Sequence, residues 1–260
     1  MVRAVAVLKA FDETRREWGV TELAQRLGLA KATVYRLLAA LVDTGMVAQD
    51  PESERYRLGP EAIALGARAL QASDLRTACR PVLEELARVS GETATLDVLV
   101  EDEVLILDEV AGRHLIGVAA EVGTRWPAHA ASTGKLLLAH RERTAVSAGA
   151  GYELAVYTPY TITNRDALER EFARILRQGY ASAIEELQPD FVAVAAPVRD
   201  HRGRVVAGIS LGGPAARLDR RRIAELAALL RRAADRASIE LGWTGSATDS
   251  AADAALATLP

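Results

Sequence analysis

Cysteine is almost absent from the sequence, since Cys79 is the only one among 260 residues. A lone thiol cannot build a disulfide framework, and this usage is typical of proteins from a reducing compartment. The four histidines are scattered and make no metal-ligand spacing with that cysteine. These absences predict a cytoplasmic protein that carries neither a structural metal nor a cofactor.

Long apolar runs are also missing from the chain. No stretch approaches the ~18 consecutive apolar residues that a membrane-spanning helix requires. The N-terminal MVRAVAVLKAF has too short an apolar stretch for a signal peptide, and the charged DETRRE follows it. Hydrophobic residues make up 50% of the chain and charged residues 26%, which is a globular composition. We expect one or two globular domains and no membrane association.

An excess of positive charge, which would mark a general nucleic-acid coat, is absent as well. The formal net charge is −3. Residues 1–60 carry nine Lys/Arg against eight Asp/Glu, a net of +1, and the remaining 200 carry 23 against 27, a net of −4. Any affinity for DNA must therefore come from a local arrangement of basic side chains.

Catalytic signatures are incomplete. The segment Ser132-Thr133-Gly134-Lys135 resembles the end of a phosphate-binding loop, but His129 stands at its first glycine position and Leu136 at its Ser/Thr position. His129 and Ser132 lack a G-x-S-x-G elbow and an obvious orienting acid. Glu185 and Glu186 would face opposite sides of a strand. These patterns predict no enzyme, and a small-molecule hydrolase with a docking module is the alternative function.

Two short helical patterns that meet at Gly28-Leu29 are the most informative feature present. The second pattern repeats apolar residues with the spacing of a buried helix face, at Val34, Leu37, Leu38, Leu41 and Val42. Its first turn stays polar. A glycine-bearing turn before such a helix is typical of a helix-turn-helix, whose second helix presents its N-terminal residues to the DNA major groove. An ordinary helical hairpin with a solvated basic end is the alternative.

Residues 1–59 predict a winged helix-turn-helix domain. We expect helix one over residues 3–17, helix two over Glu22–Leu27 with Thr21 as its N-cap, and helix three from about Ala30 to Thr44. Two short alternating segments around the polar turn at residues 50–54 predict a β-hairpin wing. Its arginines suit phosphate or minor-groove contact. The residues predicted to contact DNA are Thr21, Lys31, Ala32, Thr33, Tyr35, Arg36, Arg55 and Arg57.

The rest of the chain predicts a linker helix over residues 60–73 and an α+β domain over residues 74–243. Helices and strands alternate there in the way that gives an antiparallel sheet flanked by helices. The predicted helices are Leu75–Ser90, Ser132–Ala139, Asn164–Arg177 and Asp219–Leu241, the third with Thr163 and Asp166 as a capping box. The predicted strands are Thr93–Val100, Val104–Val110, Leu115–Ala119, Ala181–Glu185, Val192–Arg199 and Val205–Leu211. Residues 244–260 contain almost no large apolar residue and are expected to be disordered.

Four segments resemble the isocitrate-lyase-regulator (IclR) family of bacterial transcription regulators. They are TELAQRLGLAKATVYRLLAALVDTGMVAQDPESERYRLGP, GTRWPAHAASTGKLLLA, TITNRDALEREFARILRQGYASAIEEL and VAVAAPVRDHRGRVVAGISLGGPAARL. The resemblance implies a winged helix that binds double-stranded operator DNA as a homodimer, often within a dimer of dimers. It also implies a GAF-like, mixed α/β effector-binding domain, whose effectors in the family are mostly small organic or aromatic acids from catabolic pathways.

The resemblance further implies an effector pocket, to which the start of a helix near Thr133 would offer free N–H groups for a carboxylate. Arg125 could add a bidentate contact. Where members that bind the smallest polar acids carry Asp, Cys and Ser, this chain has Ala183, Ala193 and Gly212, which predicts a larger and less polar effector. The residues predicted to bind the effector are Arg125, Ser132, Thr133, Ala183, Glu185, Ala193, Ser210 and Gly212.

Overall fold

The computed structural model describes residues 2–12, 15–71, 74–113, 121–141 and 154–245. The chain divides into two compact units, residues 1–73 and residues 74–260, and each is described by itself. The predicted strand Leu115–Ala119 and the predicted disordered tail, beyond residue 245, lie outside the described residues.

The N-terminal unit contains three helices, a two-stranded antiparallel hairpin and a fourth helix. In chain order these elements are α1 (Val2–Lys9), α2 (Val20–Leu27), α3 (Lys31–Asp43), β1 (Val47–Gln49), β2 (Tyr56–Leu58) and α4 (Pro60–Gln71). The winged helix-turn-helix architecture predicted from the sequence is therefore confirmed. In its hydrophobic core, Val34 and Leu38 of α3 pack with side chains from the other elements. The apolar periodicity of α3 predicted this buried face.

Helix one is shorter than predicted, because the chain leaves the helix after Lys9. Trp18 forms an isolated β-bridge with Tyr56, in which each residue's N–H donates to the other's carbonyl oxygen at 2.8–2.9 Å. The Trp18 indole N–H also donates to the Ala10 carbonyl oxygen at 2.8 Å. The approach to α2 is thus an extended segment held against the wing, which local helical periodicity could not reveal.

The N-cap of α2 is also different from the prediction. Gly19, not Thr21, occupies the cap position, and its N–H donates to the Glu22 carboxylate at 3.1 Å. Arg15 and Arg55 form ion pairs with the same carboxylate at 2.7 and 2.9 Å. The hydrogen bond from Gly19, together with these two arginines, holds the pKa of Glu22 below its usual value. Thr21 is an exposed residue of the first helical turn.

The C-terminal unit is a six-stranded antiparallel sheet with helices on both faces. Its helices are α5 (Asp74–Ser90), α6 (Ser132–His140), α7 (Arg165–Gln178) and α8 (Arg220–Glu240). Its strands are β3 (Thr93–Val100), β4 (Glu103–Val110), β5 (Arg125–Pro127), β6 (Ala181–Ile184), β7 (Phe191–Arg199) and β8 (Val205–Pro214), in the spatial order β5-β4-β3-β8-β7-β6. The short edge strand β5 was not predicted. The α+β class of this unit is confirmed.

Alternation along the strands divides the sheet into two chemically different faces. One face is strongly apolar and packs on α5 and α8, with Leu96, Val194 and Ile209 in its centre. The opposite face carries small and polar side chains, and α6 and α7 cover it through a buried cluster that contains Leu136, Ile175 and Ala195. This second face holds most of the residues predicted to bind an effector.

One further prediction is wrong, and one glycine has a packing role that was not predicted. Asn164 caps α7, since its side chain accepts a hydrogen bond from the Ala167 N–H at 3.0 Å, and the predicted Thr163–Asp166 capping box is not formed. Gly134 in α6 is required by close packing, because a Cβ atom there would lie 2.2 Å from the Ala128 carbonyl oxygen.

Candidate DNA-binding surface and effector site

The first turns of α3 form the exposed surface that the sequence predicted for DNA contact. Lys31, Ala32, Tyr35 and Arg36 are exposed, the tyrosine to 58%, while Thr33 is half-buried. The N-cap residue Ala30 offers no side-chain hydrogen bond to the start of the helix. The N-terminus of α3 therefore presents unpaired N–H groups and positive side chains, which together suit a phosphate or a base edge.

An open cleft of about 1140 Å³ brings this surface together with the start of α2 and the wing. Six of the eight residues predicted to contact DNA line it, namely Thr21, Lys31, Ala32, Tyr35, Arg36 and Arg55. Thr33 and Arg57 do not line this cleft. The start of α2, the start of α3 and the wing thus border one open surface.

The two wing arginines have different surroundings. Arg55 donates to the Glu22 carboxylate at 2.9 Å and to the Glu17 carbonyl oxygen at 3.2 Å. Its guanidinium is therefore engaged within the protein, and the predicted contact of Arg55 with DNA stays a prediction. Arg57 is exposed on β2. Hydrogen bonds from Ser53 hold the pKa of Asp50 below its usual value, and the nearby charge of Arg57 adds to this effect.

The predicted effector residues on β6, β7 and β8 lie side by side. Ala183 is the register partner of Ala193, and Ala193 is the register partner of Gly212. Ser210 lies two residues before Gly212 on β8 and faces the same side of the sheet. The structure therefore brings Ala183, Ala193, Ser210 and Gly212 together on the face that α6 covers.

The space near Gly212 is smaller than predicted. A Cβ atom at Gly212 would lie 2.7 Å from the Phe191 ring. The aromatic ring of β7 occupies the volume that the absent side chain leaves, so the glycine makes room for Phe191 and not for a ligand. The expected enlargement of the pocket at this position is wrong, and any additional room must come from Ala183 and Ala193.

Arg125 and Glu185 do not join the cluster around Ser210. Arg125 lies on the edge strand β5, at the other end of the sheet from β6 and β7, and its exposed guanidinium pairs with Glu103 at 3.2 Å. Glu185 follows the end of β6 with a left-handed backbone (φ 56°), and its N–H donates to the Phe191 carbonyl oxygen at 2.8 Å. The expected bidentate contact from Arg125 is not supported by this geometry.

Asp97 is the residue of this site that the sequence analysis missed. It lies on β3, is only 4% exposed, and accepts a hydrogen bond from the Thr133 hydroxyl at 2.6 Å through Oδ2. Beside it the hydroxyl groups of Thr95 and Ser210 are 2.8 Å apart in a hydrogen bond. Polar residues at every second position, Thr93, Thr95 and Asp97, are the sequence signal that would have placed all three on one face of the sheet.

The environment of Asp97 disfavours its charge. Burial raises the pKa of Asp97 to about 6, although the hydroxyls of Thr133 and Thr95 act in the opposite direction. The Thr133 hydroxyl has one proton and donates it to Asp97. The predicted binding of an effector carboxylate at the start of α6 near Thr133 therefore relies on the N–H groups there, and it stays a prediction.

Lys135, which made the sequence resemble a phosphate-binding loop, is a fully buried structural residue. Its Nζ contacts both Glu186 carboxylate oxygens at 2.6 and 2.7 Å and the Glu171 carboxylate at 3.4 Å. Burial raises the pKa of Glu186, and the opposing charge of Lys135 limits that rise. Arg174 also pairs with Glu171 at 2.7 Å. This network joins α6, α7 and the segment after β6, and leaves Lys135 no freedom to bind a phosphate.

The described part of the chain contains neither a candidate metal site nor a membrane-spanning helix. Among the residues that the structure describes, no three His, Cys, Asp or Glu side chains form a candidate metal site. None of the described helices combines the length and the apolar character of a membrane span. The lone thiol of Cys79 is buried, and this burial raises its pKa to about 12.

The two sites define a class of protein, namely a DNA-binding transcription regulator with a separate effector-binding domain. Residues 1–51 match the IclR helix-turn-helix domain, and residues 67–239 match the bacterial transcriptional regulator IclR C-terminal domain. The chain belongs to the IclR family. Family membership makes it a transcription regulator and not an enzyme, so the hydrolase alternative is set aside.

Known relatives cover nearly the whole chain. The HTH-type transcriptional regulator KdgR of Escherichia coli (strain K12) is 36% identical over 244 residues, which cover 94% of this chain and 92% of KdgR. The structure of a putative IclR transcriptional regulator from Silicibacter sp. TM1040 is similar with a TM-score of 0.84 at 28% identity, over 95% and 97% of the two chains. An IclR homologue from Microbacterium hydrocarbonoxydans, solved in complex with 4-hydroxybenzoate, is similar with a TM-score of 0.79 at 28% identity, over 92% and 97%.

Proposed function

We propose that this protein represses a catabolic operon and that a small organic or aromatic acid relieves the repression. The proposal rests on one observation, namely that the same chain contains two surfaces of different character. The cleft at α3 and the wing suits a DNA duplex, and the face beneath α6 collects hydroxyls, small side chains and the start of a helix.

DNA recognition rests on α3. Tyr35 and Arg36 are exposed on its first turns and are the candidates for base contacts, with Lys31 and Arg57 directed to phosphates. As a homodimer, and in a dimer of dimers, the protein would contact two half-sites about one helical turn of DNA apart or a multiple of it. A light-scattering mass of one chain while DNA is bound would contradict the dimer.

The effector is proposed to bind with its carboxylate at the N–H groups that begin α6 and its body toward Ala193. The N-cap residue Ala131 supplies no side-chain hydrogen bond, so these N–H groups are available. Ala183 and Ala193 leave space for an apolar or aromatic body. The complex of the Microbacterium homologue with 4-hydroxybenzoate supports an aromatic acid for a protein of this family. The linker helix α4 is proposed to transmit the effector's preference for one arrangement of the domains to the DNA-binding domain.

The experiment measures binding of the purified protein to DNA from upstream of its own operon, with and without a panel of aromatic and aliphatic acids. At least one acid is expected to lower the affinity for that DNA and leave nonspecific binding unchanged. The variant Ala193→Phe should bind the same DNA and ignore the acid, because its ring fills the space beside Ala183. Ala216→Phe, at an exposed position, is the control and should respond as the parent does.

Two outcomes would contradict the proposal. If Ala193→Phe responded to the acid as the parent does, the effector would bind elsewhere. If no acid changed the affinity for the upstream DNA, the protein would not be a regulator of the proposed kind.

A further inference from the structure

One carboxylate oxygen of Asp97 forms no hydrogen bond within the described part of the protein. Oδ2 accepts the hydrogen bond from Thr133, whereas Oδ1 is buried and has no hydrogen-bond partner among the residues that the structure describes. The nearby Thr95 hydroxyl also lowers the pKa of Asp97, but its hydrogen bond is the one with Ser210. Within the same described ranges, no lysine or arginine forms an ion pair with this carboxyl group. A buried carboxyl oxygen without a donor is costly, and such an atom in a native structure calls for an explanation, of which a donor from a bound group is one.

Hydroxyl groups and small side chains lie beside this oxygen. The hydroxyls of Thr95 and Ser210 lie on the adjacent strands β3 and β8, and either of them can donate to the other. Ala195, the register partner of Ser210 on β7, adds only a methyl group to this row. The start of α6 reaches the same place, because Thr133 belongs to its first turn and contacts Asp97 directly.

The two electrostatic features of the site disfavour a ligand whose only polar group is a carboxylate or an ammonium group. The N-terminus of α6 carries partial positive charge and attracts a carboxylate, but Asp97 repels a carboxylate placed on its free oxygen. An ammonium group would suit Asp97 and would be repelled by the helix N-terminus. A hydroxyl group is neutral, donates one hydrogen bond, and is compatible with both.

We propose that Asp97 is the residue that determines effector specificity, and that the effector is a hydroxylated acid. Its hydroxyl donates to Asp97 Oδ1, and its carboxylate binds the N–H groups that begin α6. The inference rests on the proposed function, which places an acid in this site, and adds the hydroxyl as the group that the site selects. The Thr133 hydroxyl holds Asp97 Oδ2 and so orients Oδ1 toward the ligand.

The test compares matched acids that differ by one hydroxyl group. Calorimetric titration of the full-length protein is carried out at pH 8 with benzoate against 3- and 4-hydroxybenzoate and with propionate against lactate, and benzylamine is the ammonium probe. In at least one pair the hydroxylated acid should bind about tenfold more tightly or better, which is the effect expected of a hydrogen bond to a charged group. This comparison needs no variant and so does not depend on the folding of one.

Variants then assign the preference to Asp97. Asp97→Asn removes the charge and keeps the shape, so the plain acid should bind more tightly and the preference for the hydroxylated acid should fall to about twofold or less. Asp97→Ser, a second variant that is small and polar, should lose the preference as well. Glu103→Gln on the neighbouring strand β4 removes an exposed carboxylate that pairs with Arg125, and it should keep the full preference of the parent.

Each other result contradicts a specific statement. If acids bind the parent without any preference for a hydroxyl, or if Asp97→Asn and Asp97→Ser keep that preference, the role of Asp97 is refuted while the acid effector stands. Tighter binding of benzylamine than of every acid refutes the hydroxylated acid in favour of an amine. If no acid in the panel binds the parent, the proposed acid effector fails, and this inference fails with it.

Discussion

Replacing Lys135 by methionine should destabilise the C-terminal unit severely. The side chain of Lys135 is fully buried, and its Nζ lies 2.6 and 2.7 Å from the two Glu186 oxygens. Methionine fills a similar volume and removes the cation, so the Glu186 carboxylate stays buried without its partner. Loss of one member of a buried ion pair costs about 3–5 kcal/mol. We expect a loss near the lower end of this range, because Arg174 still pairs with Glu171.

The loss of stability in Lys135→Met should depend on pH, because it changes the pKa of Glu186. Burial already raises the pKa of Glu186, and the positive charge of Lys135 opposes that rise. Without Lys135 the pKa rises further, so the folded variant binds a proton that the unfolded chain releases. Stability of the variant then falls as the pH rises from the unfolded pKa through the folded one. The deficit relative to the parent should be large at pH 8 and smaller at pH 5.

The assay is guanidinium unfolding of the full-length protein, followed by circular dichroism at both pH values. Lys9→Met, at an exposed position of α1, is the control and should change the free energy of unfolding by less than about 0.5 kcal/mol. The double variant Lys135→Met/Glu186→Gln should recover part of the loss, because the unpaired charge is gone. A loss below about 1 kcal/mol for Lys135→Met, or an equal loss at both pH values, would refute the account of Lys135 as the partner of a buried carboxylate.

Three further predictions concern single residues. Asp97→Asn should raise the free energy of unfolding at pH 8 by up to roughly 3 kcal/mol, since burial raises the pKa of Asp97 from 3.8 to about 6. This gain in stability should shrink as the pH falls from 6 to 4. A gain that is independent of pH would contradict the burial of the Asp97 charge. Gly134→Ala should cost about 1–3 kcal/mol in thermal or denaturant unfolding, because its Cβ would meet the Ala128 carbonyl oxygen at 2.2 Å. Gly66→Ala on α4 meets nothing within 4 Å and should stabilise the N-terminal unit by up to about 1 kcal/mol; a loss there would show that the site is crowded.

Local sequence patterns predicted the elements whose structure depends on their own residues. The apolar spacing of Val34 and Leu38 located α3 to within one residue at each end, and Gly45 follows it with the expected left-handed backbone (φ 70°). Helix periodicity and strand alternation likewise located α5, α8 and the central strands β3, β7 and β8. In these elements the buried face is encoded by neighbours in the chain, so the pattern is visible without the tertiary structure.

Features that depend on distant residues were missed. Helix one ends early because Trp18 bridges to Tyr56 across the wing, and no pattern within residues 3–17 encodes that partner. Arg55 resembled a free wing cation until Glu22 was found beside it. Gly212 resembled an opening in the pocket, but the Phe191 ring from the adjacent strand occupies the space.

In the candidate effector site, too, features encoded by neighbouring residues were predicted and those that depend on distant residues were not. Two members of the predicted set, Thr133 and Ser210, lie at one face of the sheet, where the start of α6 and strand alternation fix their places. Asp97 was not in that set, because an acidic residue that alternates with apolar ones is typical of an outward-facing position. Only the register of β3 against β8 and the contact with Thr133 show that this carboxyl group is buried at the centre of the site.

The central claim is that the exposed start of α3 reads operator sequence, and competition binding of three proteins across a salt series tests it most directly. The parent, Arg36→Ala and Arg57→Ala are titrated against the upstream DNA and against scrambled DNA of equal length. Arg36→Ala should lose about 1–3 kcal/mol of the preference for the upstream sequence, as the loss of a base contact does. Arg57→Ala should weaken binding to both DNAs equally and reduce the salt slope by about one. If Arg36→Ala kept the affinity and the sequence preference of the parent, α3 would not be the recognition helix.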